Sequence, residues 1–341
     1  MEQVPARDAT QAGRASKRAP RARVLEHAIR GKRAWTRASI RDADFRVVLG
    51  ADVLREIAAC MELLRLNPLQ TELLSPEDYR LARTRILMCR VRRVLESGVG
   101  FAVLDRLPVD SYDKEQLKAI YWLLSGLMSR PVAQSFRGTM LYDVHDTGRI
   151  KGPAVRADVT RQELAFHTDY GYNEAPQFIG LAALRSARSG GRNSFASLYA
   201  AHNVLRREAP DLLARLYEPF CLNRYGEHAA GDPRFSRHPV FAYDGRTLKA
   251  RFNHRNIVAG HDLAGEALDG TGAAAIDALT TILESTALRL DLDLAPGQIL
   301  YTMNWRIAHS RTEFVDHVDP ERRRHLVRIF LRDHGARTYN G

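Results

Sequence analysis

Apolar positions recur at helical spacing in the first third of the chain and at strand spacing in most of the rest. The pattern from Ala51 to Leu66 predicts a helix that Asn67-Pro68 ends. Ser75-Pro76-Glu77-Asp78 reads as a second helix start: Ser as cap, Pro at the first position, acids in the first turn. That helix should run to Ser97 and stop at Gly98. Phe101 to Leu104 is a short apolar strand, and Asp113 to Met128 a third helix. From Pro131 the texture is mostly β. Strands are predicted at 134–144, 178–184, 193–198, 241–243, 248–252, 299–302 and 326–332, punctuated by Gly, Pro and Asn/Asp clusters. Helices interrupt them at 200–208, from 210, and over 265–290, the last weakened at Gly270 to Gly272.

Many short strands with helices outside them indicate an α+β fold. Its core would be a double-stranded β-helix, or jelly roll, with flanking N-terminal and inserted helices. A parallel βαβ array competes. However, no GxGxxG or GxxxxGK[ST] follows any strand, which removes the usual reason to prefer it.

Charge changes the picture at the N-terminus. The chain of 341 residues carries a formal net charge of +11, and 7 of those charges lie in residues 1–42. Residues 1–33 are expected to be a basic, disordered tail, and 34–341 one large domain. A near-neutral body argues against a nucleic-acid partner, and no RRM, zinc-finger or cold-shock signature is present. No apolar run is long enough to span a membrane, and no apolar h-region follows the basic N-terminal residues. Cys60, Cys89 and Cys221 form no CxxC or zinc pattern and read as reduced thiols, so a cytoplasmic protein is expected. A homo-oligomer is left open.

The candidate chemistry centres on Phe166-His167-Thr168-Asp169. In an extended strand His167 and Asp169 share a face, so an imidazole nitrogen and a carboxylate oxygen can grip one metal ion. A lone His-x-Asp is a weak signal. The chain holds a second, His317-Val318-Asp319, in a polar segment that reads as a solvated loop. His167 differs in standing between apolar residues and a Tyr-Gly-Tyr-Asn turn. His309 is the best third ligand. Two His and one carboxylate with open positions form the facial triad of non-haem Fe(II) oxygenases. Such a centre needs an electron source, commonly a 2-oxo acid, whose distal carboxylate needs a cation. Arg324 and Arg328 have even spacing on the last strand and can face the same way; Arg322 and Arg323 should face solvent.

These features together resemble the TauD/TfdA family of Fe(II)- and 2-oxoglutarate-dependent dioxygenases. The matching elements are His167-Thr168-Asp169, the segment Asn304 to Phe314, and Arg324-His325-Leu326. Gly98-Val99-Gly100-Phe101 and Leu184 to Gly191 add to them, and the likeness covers roughly residues 34–334. The resemblance implies that His167, Asp169 and His309 bind Fe(II) and that Arg324 pairs with the C5 carboxylate of 2-oxoglutarate. The family often has a hydroxyl residue after Gly-Gly. Here Gly190-Gly191-Arg192-Asn193-Ser194 departs from that, leaving either Asn193 or Ser194 for the role. Arg328 stands where some relatives bind an anionic substrate group, or serves a structural ion pair.

The implied reaction uses O2 and 2-oxoglutarate, yields succinate and CO2, and most simply hydroxylates an unactivated C–H of a small-molecule substrate. Asp169 argues against halogenation, because a small residue there would free a position for halide. Candidate substrate contacts are Tyr170 and Tyr172, on a mobile loop, with Asn304, Arg306 and Arg311. His202, His254 and His261 read as structural. Two other functions compete: a non-catalytic basic jelly-roll binding module, and a Zn-dependent hydrolase. The hydrolase would use Glu163 or Glu174 as base, but neither has the HExxH context.

Overall fold

The computed structural model describes residues 23–149 and 157–339. In chain order, β1 (Arg46–Val47) leads to α1 (Ala51–Leu66), α2 (Ala82–Glu96), β2 (Phe101–Leu104) and α3 (Lys114–Met128). There follow β3 (Arg130–Val132), β4 (Leu141–Val144), β5 (Leu164–His167), β6 (Phe178–Arg185), β7 (Ser189–Gly190) and β8 (Asn193–Ser197). Next come α4 (Leu198–Glu208), α5 (Pro210–Arg215), β9 (Pro219–Asn223), β10 (Phe235–Pro239), β11 (Phe241–Tyr243) and β12 (Leu248–Ala250). The chain closes with α6 (His254–Ala264), α7 (Gly270–Glu284), β13 (Leu290–Leu292), β14 (Ile299–Met303), β15 (Ile307–Arg311), β16 (Phe314–Val315) and β17 (His325–Arg332).

Two sheets form the roll. The major one runs β1-β2-β14-β6-β17-β3, with β4 also paired to β17; the minor one runs β13-β8-β15-β5. The major sheet is buried on both faces, and the period of two explains how. Ile299, Tyr301 and Met303 of β14 face the helical layer, as do Val327, Ile329 and Leu331 of β17. Leu300 of β14 joins Phe195 and Ile307 of the minor sheet instead. Phe195 stacks on Phe101 at 5.0 Å and ties the two sheets together. Burial of one such ring is worth about 1.5–3 kcal/mol. The fold is therefore the expected jelly roll with flanking and inserted helices.

The helices follow their sequence cues. Asp113 and Gln116 form a reciprocal capping box that starts α3. Val53, Ile57, Cys60 and Met61 give α1 one buried stripe. No helix of the described residues is long and apolar enough to cross a membrane.

Several boundaries differ from expectation. Ser75 caps only a 3-10 turn, Pro76–Asp78; extended Tyr79 separates it from α2. The strand expected over 134–144 shrinks to β4, because Gln134 turns its side chain to the Met140 and Arg328 carbonyls. The long helix expected over 265–290 is α7 alone. Gly265, at φ +65°, has already ended an unexpected helix, α6. Gly260 lets α6 lie against β9, since a Cβ there would stand 2.3 Å from the Cys221 carbonyl oxygen.

The expected tail of residues 1–33 is shorter at its inner end. Leu25 is buried and its N–H donates to the Tyr217 hydroxyl at 3.2 Å; Asn203 holds both polar groups of Ile29's backbone. Apolar side chains among the arginines thus fix residues 23–33 to the body. For residues 1–22 the expectation lies outside the described residues.

His202, expected to be structural, is fully buried, and its Nε2 lies 2.8 Å from the Tyr217 hydroxyl. Burial, with Arg206 and His27 nearby, pushes it down to about 4 from the ordinary 6.5. The unfolded chain then binds one more proton between those values, so stability is full above about pH 6.5 and falls as pH drops toward 4. His202→Gln is expected to reduce the slope of unfolding free energy against pH in that window by about one proton's worth, about 1.4 kcal/mol per pH unit. Denaturant unfolding at stepped pH measures it.

Candidate metal centre

The centre is made by strand pairing. β15 runs antiparallel to β5, and the register sets His309 directly opposite His167. Opposed residues project to the same face, so the two imidazole centroids come within 4.3 Å. A register shift follows between His309 and Arg311, where a straight ladder would continue. Asp169 lies two residues past the end of the pair, with Oδ1 3.4 Å from His167 Nε2. The candidate ligand atoms of His167, Asp169 and His309 all lie within 4.8 Å of one another.

The donor set fits a divalent transition metal. His167 Nδ1 sits 2.9 Å from the Ala165 carbonyl oxygen, which can only accept. The proton is therefore on Nδ1 and the Nε2 lone pair faces the cluster. His309 Nδ1 is buried with no hydrogen-bond partner among the described residues. Burial, with His167 beside it, pushes His309 down to about 3, so the ring is neutral, as ligation requires. Burial alone would raise the Asp169 carboxyl. The Arg328 charge and the His167 hydrogen bond outweigh it and hold the group well below the usual carboxylate range.

Two clamps fix the loop that carries Asp169. Asn304 Oδ1 accepts from the Asp169 N–H at 2.9 Å, while its Nδ2 donates to the carbonyls of Asp169 at 2.9 Å and Pro176 at 3.1 Å. Thr168 makes the second: its N–H donates to the Phe252 carbonyl at 2.7 Å, and its Oγ1 accepts from the Phe252 N–H at 2.9 Å. Tyr170 then takes φ +56°, a left-handed conformation, and turns the chain away.

The three residues open on a cavity of about 160 Å³. Arg324, just before β17, and Arg328 within it both line the cavity, in line with their even spacing. Arg324 lies 5.0 Å over the Phe314 ring and passes close to Gly191, where a Cβ would stand 3.2 Å from its Nε. Its Nη1 has no partner among the described residues. Burial and the neighbouring Arg311 push it down to about 9, the mark of a cation short of an anion. Arg328 is committed differently. Its Nε donates to Gln134 Oε1 at 2.8 Å, and its Nη1 lies 3.1 Å from Asp158 and 3.7 Å from Asp169.

The other candidates divide. Asn193 lines the cavity, but Ser194, on the opposite face of β8, donates to Asp291 Oδ1 at 2.6 Å and is turned away. Asn304 is spent on its clamp and is not among the described residues that line the cavity. Arg306 is not among them either: it reaches the Tyr199 hydroxyl at 3.2 Å and the carbonyls of Leu95 and Glu96 that end α2. Arg311 lines the cavity, with its guanidinium tied to the Thr160 and Gln162 carbonyls. Tyr170 and Tyr172 also line it. They are a packed wall rather than a mobile loop: both are buried, with rings 4.9 Å apart. Sequence reasoning missed Gln134, Asp158, Tyr225 and the start of α6. Only the last had a local cue, Asn253 as a capping residue. Glu163 and Glu174, considered as hydrolytic bases, are not among the described residues that line the cavity.

The class these features define is the non-haem iron dioxygenases. The model of the taurine catabolism dioxygenase TauD, TfdA family matches residues 68–330, and the chain belongs to that family. It is an Fe(II)- and 2-oxoglutarate-dependent dioxygenase, and not a binding module or a zinc hydrolase. Among its relatives, FR-33289 synthase of Streptomyces rubellomurinus is 25% identical over 322 residues, covering 93% of this chain and 94% of that protein. Uridine-5'-phosphate dioxygenase of an Amycolatopsis species is 33% identical over 149 residues, 43% of this chain and 52% of that protein. A crystal structure of asparagine oxygenase with Fe(II), 2S,3S-3-hydroxyasparagine and succinate shares the fold. Its TM-score is 0.63 at 19% identity, covering 84% of this chain and 93% of that one. OrfP with Fe and alpha-ketoglutaric acid gives 0.61 at 17%, covering 85% and 94%.

The Asn304 clamp is open to test. Asn304→Ala should leave the Asp169 N–H and two carbonyls buried and unpaired, at about 1–3 kcal/mol for each group. The expected result is a lower unfolding midpoint and weaker iron retention on gel filtration.

Proposed function

We infer that His167, Asp169 and His309 hold Fe(II), and that Arg324 with Asn193 receives 2-oxoglutarate. The observation that carries this reading is the shared cavity. Three converging ligand atoms and a buried arginine with an unused N–H line the same small space. When bound, iron with 2-oxoglutarate and O2 supplies the oxidising chemistry and releases succinate and CO2.

The chain's own residues do the rest. The β5–β15 register and the Asn304 and Thr168 clamps set the ligand geometry before any ion arrives. Arg324 meets the distal carboxylate with parallel N–H groups, and Gly191 leaves room for its stem. Arg328 keeps Asp169 ionised from behind. Its two aspartate neighbours support a structural ion pair, with the Nη2 amino group left over among the described residues. Tyr170, Tyr172 and Phe252 exclude water from the mouth, so that a small organic substrate presents its C–H in an apolar setting. Hydroxylation is the simplest outcome. The three free cysteines, two of them buried, support a reducing cytoplasmic compartment.

Arg324→Ala should raise the 2-oxoglutarate requirement by about tenfold or more, since a charge-assisted hydrogen bond is worth about 1.5–3 kcal/mol. Arg328→Ala should change it little. Succinate formation against 2-oxoglutarate concentration reads both. The reverse ranking would overturn the arginine assignment.

A further inference from the structure

Arg324 and Asn193, assigned above to 2-oxoglutarate, have a second side. A cavity of about 470 Å³ lies behind them, and Asn193, Arg324 and Leu326 line both it and the metal cavity. These three side chains are the partition between the two spaces. The turn from β6 into β7 and the Gly190-Gly191 pair line the rest of it, together with Asp291 of β13.

The second cavity favours anions. Arg185, Arg188, Arg192, Arg289 and Arg324 line it, against Asp291 and Asp293. Both aspartates are taken: Arg289 lies 2.6 Å from Asp291, and Arg192 3.2 Å from Asp293. Arg185 lies 3.6 Å from Glu321. Arg188 and Arg324 have no carboxylate within ion-pair distance among the described residues. Arg188 is exposed at the rim, while Arg324 is 5% exposed at the partition. Unpaired cations therefore mark both ends of the space. The inner one rests on the Phe314 ring, with its Nη1 unpartnered among the described residues. Stacking leaves such a group freer to swing than a bidentate carboxylate would.

We propose that this second cavity is the antechamber and passage for dicarboxylates: 2-oxoglutarate is captured at Arg188 and passes the Arg324 partition toward the metal, and succinate leaves the same way. The reading rests on the Fe(II)/2-oxoglutarate assignment above. It gives co-substrate and substrate separate entrances. The metal cavity, about 160 Å³, has no room for two organic molecules to pass each other. With a rear passage, succinate departs while the oxidised product still fills the front. Gly191 suits the passage, because a Cβ there would stand 3.2 Å from Arg324 Nε and hinder the swinging side chain.

The test is stopped-flow mixing of the full chain, loaded with Fe(II) under nitrogen, with 2-oxoglutarate. The rise of the visible 2-oxo acid band against concentration gives the association rate, and equilibrium titration gives Kd. Arg188→Glu, a change on the exposed rim, should slow association about fivefold or more at low salt, and the gap should close at high salt. Ala187→Trp, which crowds the rim, should slow association while Kd stays within about twofold, because a narrowed passage slows entry and exit alike. A merely structural effect would move Kd instead. Tyr225→Trp, on the front wall, should leave the association rate within about twofold of wild type. A band that forms as fast in Arg188→Glu and Ala187→Trp as in wild type, or that slows only in Tyr225→Trp, would overturn the proposal and leave the iron reading standing. Failure of wild type to form the band would overturn the iron reading itself, and this one with it.

Discussion

The register of β15 against β5 is the constraint on which the rest depends. One residue of slip would turn His309 to the other face of its strand and leave His167 facing Ala308 or Ser310, neither of which binds metal in its place. The register is fixed on the other side of β15 as well. β15 is also zipped to β8 from Ile307 to Arg311, and Ile307 and Phe195 are locked between the sheets. The aromatic core therefore positions the imidazoles. The metal site inherits its precision from the packing of the strand beside it, where Phe195 stands opposite His309.

A second constraint is the burial of cations. Arg311, Arg324 and Arg328 are each at most 6% exposed on one cavity wall, and among the described residues Arg328 alone of the three has aspartate oxygens within ion-pair distance. Desolvating a charge costs several kcal/mol unless it is repaid. Arg311 is repaid by carbonyls, and Phe314 offers both Arg311 and Arg324 an aromatic face. The remainder is left for anions from outside. A site that stores unbalanced charge is preorganised for its ligands, at the expense of stability without them.

How much of this was legible in the sequence follows from the range of each signal. Period-two burial and turn residues marked β2, β6, β8, β14 and β17, and the even spacing of Arg324 and Arg328 placed both on one face. His167-Thr168-Asp169 and His309 were legible because ligand chemistry restricts residue type. The functions of Asn304 and Arg306 were not. Both stand near His309 in sequence and carry the polarity of a substrate contact, yet one clamps a backbone and the other caps α2. Their roles depend on partners more than a hundred residues away. Ser194 against Asn193 was a question of strand face, which only pairing with β13 settles. The α6 wall was hidden for another reason: Gly260 and His261 weaken its helical pattern, because the helix is shaped to fit β9.

The most direct measurement needs no substrate. Metal-free protein under nitrogen receives Fe(II), then 2-oxoglutarate, and the weak visible charge-transfer band of a chelated 2-oxo acid is followed. The account predicts a saturable band in the wild type that is lost in His167→Ala, Asp169→Ala and His309→Ala. No band and no retained iron in the wild type, or a band that survives loss of all three side chains, would contradict it.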